Sequence, residues 1–125
     1  MFSHIVIGAN DIDAAKAFYD ATFGVLGLPE GTIDSRGRIR YVDGNDVLVI
    51  TRPLDGRAAT GANGGTIGFH AADAAEVSAW HEAGLAHGGT TCENPPGLRH
   101  TPMGDMYLAY LRDPSGNKLC VKFVP

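Results

Sequence analysis

A chain of 125 residues and 13.1 kDa has room for one domain, or for two small halves that share a single core, and not for two independently stable domains. Its hydrophobic share of 44% and charged share of 19% are those of a folded globular unit and exclude a disordered or collagen-like chain. Ten Lys and Arg against fourteen Asp and Glu leave a net charge of −4, with no basic run to neutralise a row of phosphates, so nucleic acid is not an expected partner.

No apolar stretch approaches the roughly 20 residues of a membrane helix, and the N-terminus has no basic region followed by a long apolar core. No membrane partner and a cytoplasmic location are therefore expected. Cys92 and Cys120 lie far apart, outside any disulfide or zinc spacing, and read as free thiols.

In chain order, Ile5 and Ile7 alternate with His4 and Val6, the period-two signature of a half-buried strand, until Asn10 and Asp11 stop it. The period then changes. Ile12, Ala15, Tyr19, Thr22, Phe23 and Leu26 recur at helical spacing, with Asp11 placed to cap the first turn and Gly24 and Gly27 to end it, which predicts a helix over 11–24. Residues 36–43 and 47–51 read as two strands around a Gly44-Asn45 turn. Residues 52–63 carry Pro53, Asp55-Gly56 and Gly61 and no periodicity, as a linker would.

A shift of 62 residues lays Ile5 on Ile67, Ile7 on Phe69, Asp11 on Asp73, Phe18 on Trp80 and Phe23 on Leu85. Asp73 and Glu76 form a capping box for a second helix over 73–87, and residues 106–112 and 117–123 form a second hairpin. Between them, residues 90–105 read as a long loop. The expected organisation is a single α+β domain: module one 1–51, linker 52–63 and module two 64–125. Neither half of about 60 residues would bury enough apolar surface alone.

Two βαβββ-like modules, the opening Ser3-His4-Ile5-Val6-Ile7-Gly8, a helix carrying Ala17-Phe18-Tyr19 and the closing Arg112-Asp113-Pro114-Ser115-Gly116-Asn117-Lys118 together resemble the vicinal oxygen chelate superfamily. That group includes glyoxalase I, bleomycin-resistance proteins, fosfomycin-resistance enzymes and extradiol dioxygenases. The resemblance covers nearly the whole chain. It implies a sheet from each module curving around a cleft with the helices outside, and a homodimer, the commonest oligomer. In metal-using members of the group the ligands come from the first and last strand of each module. Carried over, those positions are His4, Thr66, Cys120 and either Leu48 or Val49, of which only His4 is an ordinary family ligand. A catalytic divalent site needs about three protein ligands and an open position. Glu30, Glu76, Glu82 and Glu93 all fall on loops or helices, so no bound cofactor is the leading expectation, with Zn, Ni, Mn or Fe as the alternative.

His4, on the non-core face of the first strand, is the strongest candidate for a ligand or an acid/base group; a half-buried imidazole that only fills space is the alternative. Cys120 shares a strand face with Lys118 and Lys122, whose ammonium groups would lower a thiol pKa and favour reactivity, against its commoner fate as a small buried hydrophobe. Thr66, Leu48, Tyr41 and Tyr110 are expected to line the cleft, and Arg99 and His100 to reach substrate from the 90–105 loop. No phosphate cradle, nucleophile elbow or zinc-protease helix is present. Two function classes remain: a small-molecule binding protein of the bleomycin-resistance type, and a divalent-metal lyase or isomerase like glyoxalase I, or a dioxygenase-type enzyme. Metal-free catalysis by Cys120 with His4 as base is a third.

Overall fold

A computed structural model describes all of residues 1–125. Strand β1 (Ile5–Gly8) leads into helix α1 (Ile12–Val25), then β2 (Thr32–Ile33), β3 (Ile39–Asp43) and β4 (Asp46–Thr51). Residues 52–66 hold no regular element. Then follow β5 (Ile67–His70), α2 (Ala74–Ala86), β6 (Thr90–Thr91), β7 (Gly97–Thr101), β8 (Gly104–Arg112) and β9 (Lys118–Phe123). No helix is long and apolar enough to cross a membrane.

The halves build the same sheet twice. One has the order β1-β4-β3-β2 and the other β5-β9-β8-β6, with β7 added on β8. In each, the first strand pairs parallel to the last, which a helical crossover permits, and the remaining pairs are antiparallel. Each helix starts where a carboxylate satisfies free N–H groups: Asp11 accepts from the Ala14 N–H at 3.0 Å and Asp73 from the Glu76 N–H at 2.7 Å. The Glu76 carboxylate reaches back to the Ala72 N–H at 2.6 Å, closing the box one residue before the cap.

Two expectations from sequence need correction. The strand expected from residue 36 begins at Ile39, because the Asp34 carboxylate gathers the Arg36 and Arg38 N–H groups and the Arg38 guanidinium into a tight turn. The 90–105 stretch is not a loop: β7 folds back on β8 with Arg99 opposite Met106 and His100 opposite Asp105. Proline misleads here because Pro95-Pro96 precede the strand and Pro102 sits in its turn, while β7 lies at a sheet edge. Arg99 and His100 are therefore strand residues.

Both helices pack against each other and against the core faces of the sheets. Ile5 and Ile7 pair with Leu48 and Ile50, which pair with Tyr41 and Ile39, so these six share the face that α1 covers. Phe23 stands edge-on to Tyr41 of module one at 4.9 Å and to Phe69 of module two at 5.0 Å, so its ring is common to both halves. Phe18 and Trp80, superposed by the 62-residue shift, are both fully buried.

A polar contact also joins the modules. The Tyr19 hydroxyl donates to the Asp113 carboxylate at 2.6 Å, and that carboxylate accepts further bonds from the Ser115 and Asn117 N–H groups and the Asn117 side-chain amide. The Asn117 amide also donates to the Gly8 carbonyl of β1 at 2.8 Å. Asp113 is only 3% exposed. Burial, and then the charge of Asp113, pushes the Tyr19 phenol well above its ordinary value, so it stays a donor. Asp113→Ala would strand Tyr19 and Asn117 without their acceptor, and is expected to remove about 3 kcal/mol of stability in urea unfolding. A loss below about 1 kcal/mol would show that the contact is incidental.

Candidate functional site

The site lies on the outer face of the second sheet and follows from strand alternation. On β9, Leu119 and Val121 enter the core, which turns Lys118, Cys120 and Lys122 the other way. Phe69 and Ile67 do the same for Gly68 and His70 on β5, and Ala109 and Leu111 for Leu108 and Tyr110 on β8. Register aligns these into rows, Tyr110–Cys120–Gly68 and Leu108–Lys122–His70. With Met106, Glu93 and Thr66 they line an open trough of about 430 Å³. Arg99, opposite Met106, stands on the same face with its guanidinium donating to the Pro95 and Asn94 carbonyls.

Charge in the trough is uneven. Lys118 forms an ion pair with Glu93 and holds its ammonium 5.2 Å from the centre of the Tyr110 ring. The Lys122 ammonium has neither an ion pair nor a side-chain hydrogen bond. Cys120 is 9% exposed. Burial pushes its thiol up; Tyr110 and the two lysines pull it down, Glu93 opposes them, and burial wins. The expected lowering by neighbouring ammonium groups is thus reversed, because desolvation of a thiolate outweighs half-exposed cations.

The other sequence candidates scatter. His4 precedes β1, is exposed, and shares a hydrogen bond of 2.8 Å with the Ser3 hydroxyl. It lines a second cavity of about 510 Å³ between the modules, with Phe23, Leu28, Val47 and Thr66. The two cavities share Thr66, Gly68, Phe69 and His70, so β5 is the wall between them, with His4 on one side and Cys120 on the other. Tyr41 and Leu48 belong to the buried core and touch only the second cavity. Tyr41 donates its hydroxyl to Asp20 at 2.7 Å. Leu48 pairs with Ile5 on the core face, while Val49 pairs with Val6 on the opposite one, so Val49 is the residue equivalent to Cys120. His100 is exposed beside the Asp105 carboxylate at 2.7 Å and lines neither cavity. Sequence reasoning passed over Met106, Leu108 and Glu93. The alternation of 104–112 could have found the first two, but the chain path that brings Glu93 to Lys118 has no local signature.

The four positions at the first and last strands thus hold an imidazole, a valine, a hydroxyl and a buried thiol. Nowhere does the chain gather three His, Cys, Asp or Glu side chains close enough to hold a metal ion. This donor set does not fit a three-ligand catalytic metal site. The thiol's environment gives a prediction: at pH 7.5, Cys120 should react with iodoacetamide at least about tenfold more slowly than a free cysteine in a peptide, speeding up as pH rises. Fast alkylation of Cys120 at neutral pH, located by peptide mass mapping, would show an activated nucleophile instead.

The model of the Glyoxalase/Bleomycin resistance protein/Dioxygenase superfamily matches residues 1–121. A search of curated proteins returns no match. Among solved structures, a glyoxalase/bleomycin resistance protein from Albidiferax ferrireducens T118 is 48% identical with a TM-score of 0.93, the match covering 98% of each chain. A lactoylglutathione lyase from Agrobacterium tumefaciens is 28% identical over 98% of this chain and 92% of its own, with a TM-score of 0.66. A glyoxalase-related enzyme from Fulvimarina pelagi, 22% identical over 100% and 88%, shares the fold with a TM-score of 0.77. Two modules of identical strand order, a trough built on one of them and a family match over nearly the whole length lead to one assignment: the chain belongs to the glyoxalase/bleomycin resistance/dioxygenase superfamily.

Proposed function

We propose that this chain is a small-molecule binding protein of its superfamily, taking a ligand in the trough of module two without a complete metal site. The observation that carries the reading is the lining itself. Tyr110, Leu108 and Met106 offer an apolar wall, and Lys118, Lys122, His70 and Thr66 offer polar contacts, in a space at the lower end of the usual range for small ligands. The positions that would have to hold a cation offer one imidazole and one thiol held protonated by burial. Binding needs a shaped surface and nothing more.

A second reading, a divalent-metal lyase or isomerase, draws support from the 28% identity to a protein named lactoylglutathione lyase and from His4. It requires donors this chain does not bring together, such as His70 or His100 from another copy. Calorimetric titration with Zn²⁺, Ni²⁺ and Mn²⁺ separates the two. The binding-protein reading expects no one-to-one site of micromolar affinity. Micromolar binding that disappears in His4→Ala would put the lyase first.

A homodimer is part of the proposal. β1 and β5 are each the outer strand of their sheet, and Phe2 and Val6 are exposed at the first of them. Light scattering at micromolar concentration should return twice the chain mass of 13.1 kDa. A monomer mass would remove the dimer from the reading, and with it the route by which a second copy could complete a metal site.

A further inference from the structure

Taking the trough as the binding site, we propose that it selects a small ligand carrying an oxyanion on an apolar body, and that Glu93 is the internal anion such a ligand displaces from Lys118. The chain as a whole is acidic, at −4, yet the trough lining sets Lys118 and Lys122 against a single carboxylate. Attraction of an anion into this place runs against the protein's net charge and has to come from the two local cations. They flank Cys120 two residues to either side on β9, and both bear on its thiol, so an oxyanion above Cys120 lies within reach of both. Lys122 is the cation with no partner.

Glu93 differs from a chance surface partner in its backbone. It is one of two non-glycine residues with positive φ, at 59°, a conformation that an ordinary side chain adopts only under constraint. That conformation coincides with the carboxylate meeting Lys118 at the rim of the trough. Its side chain is 46% exposed, so it can leave for water without desolvation cost when another anion takes its place. The ligand's oxyanion then pairs with Lys118 and Lys122, and its body lies along Tyr110, Leu108 and Met106 on β8. A neutral ligand would gain at most a hydrogen bond from Lys122 and would leave Glu93 where it is. Carboxylates and phosphonates share this chemistry.

The test is an NMR titration of the ¹⁵N-labelled full chain with benzoate, phenylphosphonate and the neutral benzamide. Both anions should shift the amides of Gly68, His70, Tyr110 and Lys122. They should bind at least about tenfold more tightly than benzamide, an advantage that shrinks with added salt. Which of the two binds more tightly identifies the oxyanion. Glu93→Gln should tighten anion binding about fivefold or more while leaving benzamide unchanged, and Lys122→Gln should weaken it about tenfold. The two substitutions act in opposite directions, so a general loss of fold cannot imitate the pattern. Equal binding of benzamide and the anions in the trough would overturn the anion selectivity and leave the trough as a binding site. Anion binding unchanged or weakened in Glu93→Gln would overturn the displacement. If no probe at about 50 mM shifts the trough amides, the site reading and the inference fall together.

Discussion

The Asp113 carboxylate is the interaction on which the arrangement of the two modules turns. It sits in the β8–β9 turn, is buried with no cation beside it, and survives there because Tyr19, Ser115 and Asn117 between them supply four hydrogen bonds. One donor comes from α1 of the other module, and Asn117 extends the same network to the end of β1. A buried carboxylate tolerates little displacement of its donors, so this network sets where α1 and β1 stand relative to the second sheet. Phe23, between Tyr41 and Phe69, adds apolar area to the same junction.

That junction lets two similar modules serve different ends. The outer face of the first sheet presents Val6, Val42, Val47 and Val49, with Arg40 opposite Val49. The corresponding face of the second carries Lys118, Cys120, Lys122, Tyr110 and His70, and it has gained β7, which has no counterpart in the first half. The repeated strand order supplies the frame, and the side chains on one side of its period-two strands supply the chemistry. The core faces were free to stay apolar throughout because alternation separates the two sides of each strand.

Within the trough, burial decides more than neighbouring charge. Cys120 has two lysines on its own strand and still has its thiol pushed up, because a thiolate at a nearly closed position loses more hydration than half-exposed ammonium groups return. Asp20 shows the opposite balance. Burial also pulls its carboxyl up, but bonds from Lys16, the Gly31 N–H and the Tyr41 hydroxyl together hold it below the usual carboxylate range. Its contribution to stability is therefore present above the unfolded value and is lost as pH falls through the folded one. Three donors on Asp20 overcome its desolvation, where one donor and two lysines on the more deeply buried Cys120 do not.

The sequence by itself determined the repeated element order, both helices with their Asp11 and Asp73 caps, the β3–β4 hairpin and the family, because each is written in local periodicity, a capping pair or a short motif. It also placed Cys120 on one face with Lys118 and Lys122, since alternation along a strand is a local property. Only the tertiary structure decided that Leu48 and Tyr41 belong to the core, because the face a strand buries depends on which side the helix covers. It likewise decided that 97–101 pairs with β8 despite its surrounding prolines. It separated His4 from Cys120 by the whole of β5 and brought Glu93 to Lys118, distant in the chain, into an ion pair. Contacts of that kind depend on how sheets and turns meet in space, and no pattern within a few residues of either partner encodes them.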